Sequence, residues 1–179
     1  MNFNEIAKMR QSTRAYDASR PVEKEKIEAC LASARLAPSA CNSQPWMMTV
    51  CTGETARKLA PLTQGMGING WTEEVPVFVV ISEGKYNLSE AVGALLKHND
   101  YKSIDIGILS AYLTAEAAAQ GLASCILGWF KEKAVRRLAG CKGKVRLIIA
   151  LGYPKTELIP RERRKARKPL SEMTAWKEA

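Results

Sequence analysis

The chain has 179 residues, of which 46% are hydrophobic and 25% charged, and its formal net charge is +9. This mixture is typical of a globular protein and excludes a disordered chain, a collagen-like fibre and a small disulfide scaffold. The length fits one domain spanning residues 1–179. We expect no secretory signal peptide, because the first residues lack a basic segment followed by an apolar one.

Cysteine and histidine content bounds the kind of site that the chain can build. The five cysteines form no Cys-x-x-Cys pair and His98 is the single histidine, so we expect no metal site. Their odd number favours reduced thiols and therefore a cytoplasmic protein. The longest nearly uncharged stretch, residues 106–126, contains Glu116 and predicts a buried helix that runs on into a strand. We expect no membrane partner.

The predicted elements follow from apolar spacing and from residues that end helices. Ile27, Leu31 and Ala34 fall on one helix face. Pro38 lies just beyond the first helix, and Gly121 ends the long one. In chain order the sequence predicts a helix at 22–36, a loop at 36–45, a strand at 46–51, a helix at 54–62, a strand at 75–82, a helix at 104–120, a strand at 124–127, a helix at 131–138 and a strand at 145–151.

This element order contains no clean repeat of strand, helix and strand, which favours an α+β layered fold over a doubly wound one. The helix at 104–120 is apolar or small on almost every face, as expected in the middle of a fold or between two subunits. Residues 154–179 differ in composition and are interpreted as a C-terminal arm. Within this arm, 161–168 holds six basic residues in eight and has no apolar period.

Three segments could bind an anion or a flat ligand. Residues 10–14 offer two guanidinium groups and two hydroxyls, which match phosphate oxygens. Residues 38–46 form a rigid loop whose backbone could lie against a planar ring. Residues 161–168 could bind a phosphate, nucleic acid or acidic lipid. Each has an ordinary alternative: a solvated turn, a helix-to-strand connection and a solvated tail.

Groups for acid–base or phosphate chemistry are otherwise scarce. The chain has neither of the usual phosphate-binding glycine loops. A lone His98 is better explained as a surface or capping residue than as a general base. An enzyme with this sequence would therefore need a cofactor to carry its chemistry.

Taken together, the motifs resemble those of the FMN-dependent nitroreductases. The stretch Ala-Pro-Ser-x-x-Asn-x-Gln-Pro-Trp is the most specific, and the likeness extends from Met1 to Trp176. The matching segments are Arg10-x-Ser12-x-Arg14, the loop from Ala37 to Trp46, the run from Gly121 to Gly128, Leu151-Gly152-Tyr153-Pro154, and Lys165-x-Arg167-x-Pro169-Leu170.

The resemblance implies a three-layer α+β fold in which helices flank a central mixed or antiparallel sheet. It also implies an intertwined homodimer with two FMN sites at the subunit interface and with the C-terminal arm packed on the partner. The residues that it implies for FMN binding are Arg10, Gln11, Ser12 and Arg14 at the phosphate and polar edge, helped by Lys165 and Arg167; Pro38, Ser39, Ala40 and Asn42 of the other subunit along the ring; and the backbone of Leu127 and Gly128 near N5.

The function implied by the resemblance is oxidoreduction by a ping-pong scheme. NADH or NADPH would reduce the flavin, and a nitro compound, quinone or similar small acceptor would then be reduced. This scheme requires no acid or base from the protein, so we name no catalytic side chain. Cys41 would lie beside the flavin, where a space-filling role is favoured over a redox one.

Two alternatives remain at this point. The same fold could catalyse another flavin reaction, such as dehydrogenation or dehalogenation. The basic tail and the +9 charge could instead serve a nucleic-acid or anionic-surface binding protein. The tail lacks interleaved aromatic residues, so we expect no nucleic-acid partner.

Overall fold

The computed structural model describes residues 1–86, 99–156, 158 and 167–178. The predictions for His98, Lys165 and most of 161–168 lie outside these residues. The α-helices are α1 (Phe3–Met9), α2 (Lys24–Ala34), α3 (Gly53–Leu59), α4 (Tyr101–Ala119) and α5 (Glu132–Leu138). The strands are β1 (Trp46–Thr52), β2 (Val77–Glu83), β3 (Ala123–Leu127) and β4 (Val145–Gly152).

The four strands form one antiparallel sheet in the order β1-β2-β4-β3. The central strand β2 is buried on both faces, and its side chains alternate between two hydrophobic clusters. Val79 and Ile81 belong to one cluster, whereas Phe78 and Val80 belong to the other. Both faces of the sheet are therefore covered.

Helices supply the outer layers. On one face, Ile27 and Cys30 of α2 pack with Leu109 of α4. On the other face, Leu59 of α3 and Val135 of α5 join the second cluster. The predicted three-layer α+β architecture is confirmed, and within the described residues the sheet ladder is antiparallel rather than mixed.

Two predictions about helices need correction. The helix expected at 54–62 ends at Leu59, and residues Ala60–Thr63 form a 3₁₀ turn, because Pro61 has no N–H with which to continue the α-helix. The N-terminal helix α1 was missed, since its seven residues are too few to show a clear apolar period. Its start is marked by a capping box, in which the side chains of Asn2 and Glu5 each accept a backbone N–H from the other residue.

The long helix α4 buries one face and leaves an apolar face uncovered. Ile106, Leu109 and Leu113 are buried, whereas Ile104 and Tyr112 are 52% and 42% exposed. Gly121 ends this segment with a φ of +75°, as the sequence predicts. No helix in the described part of the chain combines the length and apolar character needed to cross a bilayer.

Candidate functional site

The arginine-rich segment at 10–14 is held at the free edge of the sheet. A single parallel β-bridge pairs Ser12 with Ser124 of β3, and the Thr13 N–H donates to the Ser124 carbonyl oxygen at 3.0 Å. Arg10 caps the end of α1, where its N–H donates to the Ile6 carbonyl oxygen at 2.8 Å. Ser12 and Arg14 are exposed, and Gln11 is half-buried. The backbone is thus fixed while the polar side chains remain accessible.

The end of β3 provides an open backbone surface beside this segment. Leu127 is buried and Gly128 is exposed. Apart from the chain neighbours of Gly128, no described atom lies within 4 Å of the position that a Cβ there would take. A planar ligand therefore has room to approach the main chain at Gly128.

Trp129 borders this open surface. It is 52% exposed, and its Nε1 lies 3.1 Å from the position that a Cβ on Gly65 would occupy. The indole thus packs against the turn in which Gly65 and Ile68 exchange backbone hydrogen bonds. The turn at Gly65 therefore lies against the side chain of the residue that follows Gly128 in the chain.

The 38–45 loop has a defined backbone built by its own polar groups. The Ser39 hydroxyl accepts the Gln44 N–H at 2.9 Å, and the Ser43 N–H donates to the Ala40 carbonyl oxygen at 2.9 Å. Cys41, Asn42 and Gln44 have φ values of 48°, 50° and 48°, in the left-handed region that non-glycine residues rarely occupy.

Exposure along this loop suits contact with a ligand. Pro38 and Asn42 are exposed, while Ser39 and Ala40 are half-buried. Cys41 is also exposed, so it fills no space in the core of the single chain, and its space-filling role beside a flavin stays a prediction.

Within one chain the arginine-rich segment at 10–14 and the loop at 38–45 lie at opposite edges of the sheet. The loop leads into β1, and the arginine segment pairs with β3. The strand order places β1 and β3 three spacings apart, which is roughly 14 Å. One chain does not gather all the predicted FMN residues into a single cluster.

A groove of about 820 Å³ lies along the uncovered face of α4. Phe3 of α1 and Tyr112 of α4 line it, together with Arg10, which follows α1, and Leu36, which follows α2. The lining is mostly apolar, and Arg10 links the groove to the arginine segment. The groove is large enough to accept protein side chains.

Tyr16 connects the arginine segment to the core and is structural. Its ring stacks on Trp71 with centroids 5.8 Å apart, and its hydroxyl donates to the Ala150 carbonyl oxygen at 3.5 Å. Burial raises the pKa of Tyr16 well above its usual value; Cys125 acts in the same direction and Arg14 opposes it. The phenol therefore stays protonated at neutral pH and is not a base.

The remaining polar residues near the site differ in accessibility. Arg167 is exposed. Gln64 donates to Thr72 at 3.3 Å, and Asn69 donates to the Thr63 carbonyl oxygen at 3.0 Å, so both amides already serve the fold. Among the residues that the structure describes, no group of three His, Cys, Asp or Glu side chains could hold a metal ion.

Sequence reasoning missed two residues of this region. Asp105, 3% exposed in α4, accepts the Ala40 N–H of the loop with both carboxylate oxygens, at 3.3 and 3.2 Å. Its signal was a carboxylate in the helix at 104–120, where most of the other side chains are apolar or small. Trp129 gave no comparable signal, because its contact with Gly65 joins residues 64 positions apart in the sequence.

Known proteins resemble this chain in sequence. A Haemophilus influenzae protein named for NAD(P)H nitroreductase activity is 25% identical, with 96% of this chain and 94% of that protein covered. The iodotyrosine deiodinase of Drosophila melanogaster is 25% identical over 84% of this chain and 62% of its own length.

A solved structure shares the fold. The Exiguobacterium sibiricum protein, described as a nitroreductase in complex with FMN, superposes with a TM-score of 0.79 at 22% identity, covering 99% of this chain and 98% of that one. The sequence model of the Nitroreductase family matches residues 7–153. Because that match takes in most of the chain, the protein belongs to the Nitroreductase family.

Proposed function

We propose that this chain is an FMN-dependent oxidoreductase that uses NADH or NADPH to reduce nitro compounds, quinones or similar acceptors by a ping-pong mechanism. The observation that carries the proposal is the pairing of Ser12 with Ser124, which fixes an exposed arginine segment beside the strand that ends at the open Gly128 backbone. Family membership and the FMN-bound structural relative support the same cofactor.

The arginine segment would hold the phosphate end of FMN. Arg10 and Arg14 can donate charge-assisted hydrogen bonds to phosphate oxygens, and Ser12 can add one from its hydroxyl. Gln11 would contribute to the polar edge of the flavin. Lys165 and Arg167 of the arm would add two further cations.

A second copy of the chain would complete the part of the FMN site that contacts the flavin ring. Because the loop and the arginine segment stand at opposite sheet edges, Pro38, Ser39, Ala40 and Asn42 would serve the site of the partner. A homodimer along the uncovered face of α4 would bring the two together, with the groove taking apolar side chains of the partner. The arm bears suitable groups, since Leu170, Met173 and Trp176 are exposed.

Bound FMN supplies the chemistry by accepting a hydride from the nicotinamide and passing the electrons to the acceptor. The chain's own part is to bind and orient. The backbone at Leu127 and Gly128 would face the flavin N5 edge, where a hydrogen bond could tune its reactivity. Trp129 and the turn at Gly65 would restrict water on that side and provide a flat surface for an aromatic acceptor. No side chain is assigned as acid or base.

The likeness to a deiodinase favours reductive dehalogenation as a second candidate reaction. Such a reaction would use the same cofactor site, so the two candidates differ in the acceptor rather than in the fold. We place the protein in the cytoplasm, because an odd number of cysteines without a Cys-x-x-Cys pair favours reduced thiols. We assign no nucleic-acid or membrane partner.

Steady-state kinetics test the proposed reaction. NADPH or NADH oxidation is followed with a nitroaromatic, a quinone and an iodotyrosine as acceptors, each over a range of both substrate concentrations. Parallel double-reciprocal lines with the nitroaromatic or quinone support the proposal. Turnover confined to iodotyrosine would replace it with dehalogenation, and intersecting lines would rule out the ping-pong order.

A further inference from the structure

We propose that Asp105 is a positioning residue whose buried carboxylate fixes the 39–44 loop in the shape that presents Ser39, Ala40 and Asn42 to FMN. This inference rests on the proposed flavin function. Asp105 belongs to the first turns of α4, whereas Ala40 follows α2, so the contact joins two parts of the chain that are distant in sequence.

The placement of Asp105 is unusual for a packing residue. It is 3% exposed, and its helix neighbours Ile106 and Leu109 are also buried. A carboxylate in such a place is unfavourable unless hydrogen bonds compensate for lost hydration. Both of its oxygens lie within 3.3 Å of the Ala40 nitrogen, so the loop provides this compensation.

The loop requires such a constraint because its backbone is strained. Three of the four residues from Cys41 to Gln44 have positive φ values, and none of them is glycine. Two side chains hold this shape at its ends. Ser39 accepts the Gln44 N–H from within the loop, and Asp105 accepts the Ala40 N–H from the helix layer beneath it.

The constraint bears on cofactor binding through the entropy of the loop. A loop that is already fixed loses little conformational entropy when a ligand binds. A mobile loop must be ordered on binding, and that loss of entropy lowers the affinity. Removing the acceptor at residue 105 should therefore weaken FMN binding even though Asp105 is buried beneath the loop. An asparagine keeps one acceptor oxygen and should preserve most of the effect.

The first experiment compares FMN affinity by fluorescence titration of the refolded apoprotein. We expect Asp105→Ala to raise the FMN Kd about tenfold or more, and Asp105→Asn to change it about threefold at most. The matched control is Ser110→Ala, a buried polar residue of the same helix whose hydroxyl donates to the Ile106 carbonyl oxygen at 2.7 Å. It should lower the melting temperature without changing the Kd. If the alanine variant does not fold, Asp105→Val replaces it in the titration, with the same expected rise in the FMN Kd.

The second experiment needs no cofactor. Hydrogen exchange of the Ala40 amide is measured by NMR in the apoprotein, where we expect slow exchange in the wild type and in Asp105→Asn and at least tenfold faster exchange in Asp105→Ala. Equal exchange rates in all variants would overturn the inference. Faster exchange with an unchanged FMN Kd would overturn the positioning role alone. If the wild type binds no FMN, the proposed function fails, and the role assigned to Asp105 in cofactor binding fails with it.

Discussion

Arg14 is the residue whose proposed role in cofactor binding can be isolated most cleanly. The backbone around it is held by the Thr13 N–H and by pairing of Tyr16 with Pro154, so the position of its Cα does not depend on its own side chain. The guanidinium is exposed, and its charge lowers the pKa of Tyr16 against the larger effect of burial. Truncating this side chain should therefore change binding more than folding.

We expect Arg14→Ala to weaken FMN binding by about 1.5–3 kcal/mol, the range for one hydrogen bond to a charged group, with the melting temperature of the apoprotein little changed. Isothermal titration of the apoprotein with FMN measures this. Arg57→Ala removes an exposed arginine from α3 and provides the control for general loss of positive charge. Equal affinities of the two variants would remove Arg14 from the phosphate site.

At the scale of elements, α2 and α4 form the layer that supports the loop, and Cys30 lies in their interface. It is fully buried in the cluster that contains Ile27 of α2 and Leu109 of α4. Burial raises the pKa of its thiol to about 12, and the charge of Glu116 adds to that effect. The folded protein therefore keeps this thiol protonated over a range in which the unfolded chain ionises it.

The sign of the resulting pH dependence follows from linkage. The contribution of a protonated Cys30 is complete below pH 9.0 and is lost as the pH rises toward about 12. Between pH 9 and 10.5 this amounts to roughly 2 kcal/mol of unfolding free energy. We expect Cys30→Ala to show a correspondingly shallower alkaline loss in urea titrations. Ile27→Ala, which removes another buried side chain from α2, should keep the wild-type slope; identical slopes in all three proteins would contradict the account.

Apolar periodicity predicted the elements well where they are long or buried on both faces. Helix α4 and strands β2 and β4 contain enough apolar residues to show their period. The observed first and last residues of each element lie within three positions of the predicted ones. The loop shape was beyond prediction. Cys41, Asn42 and Gln44 adopt positive φ values without being glycine, and the hydrogen bond from Ala40 to Asp105 depends on tertiary packing.

The candidate site was likewise predictable from the sequence only in part. Motif order predicted which residues would serve a flavin, and the structure places Ser12 and Arg14 on the surface beside β3. The sequence could not predict that the loop at Ser39 lies at the opposite edge of the sheet, since strand order depends on long-range pairing. The contact of Trp129 with Gly65 is likewise a product of the tertiary fold.

For the whole molecule, the proposed function implies that activity would require a dimer, because the candidate FMN residues lie at two opposite edges of the sheet. The uncovered apolar face of α4 is the surface that a partner would bury. We expect Tyr112→Glu to shift the protein to a monomer in light scattering and to abolish FMN retention, because burying a carboxylate in an apolar interface is strongly unfavourable. Thr52→Glu introduces the same charge at an exposed position next to α3 and should leave the dimer intact. A dimeric Tyr112→Glu variant that retains FMN would contradict this arrangement.

The visible absorption spectrum of the purified protein tests the central claim most directly. The protein is supplemented with FMN, freed of unbound flavin, and mixed anaerobically with NADPH or NADH. We predict a flavin spectrum that bleaches with either nucleotide and returns when a nitroaromatic or quinone acceptor is added. A colourless protein that also fails to bind added FMN would contradict the account and leave the family match as a statement about fold alone.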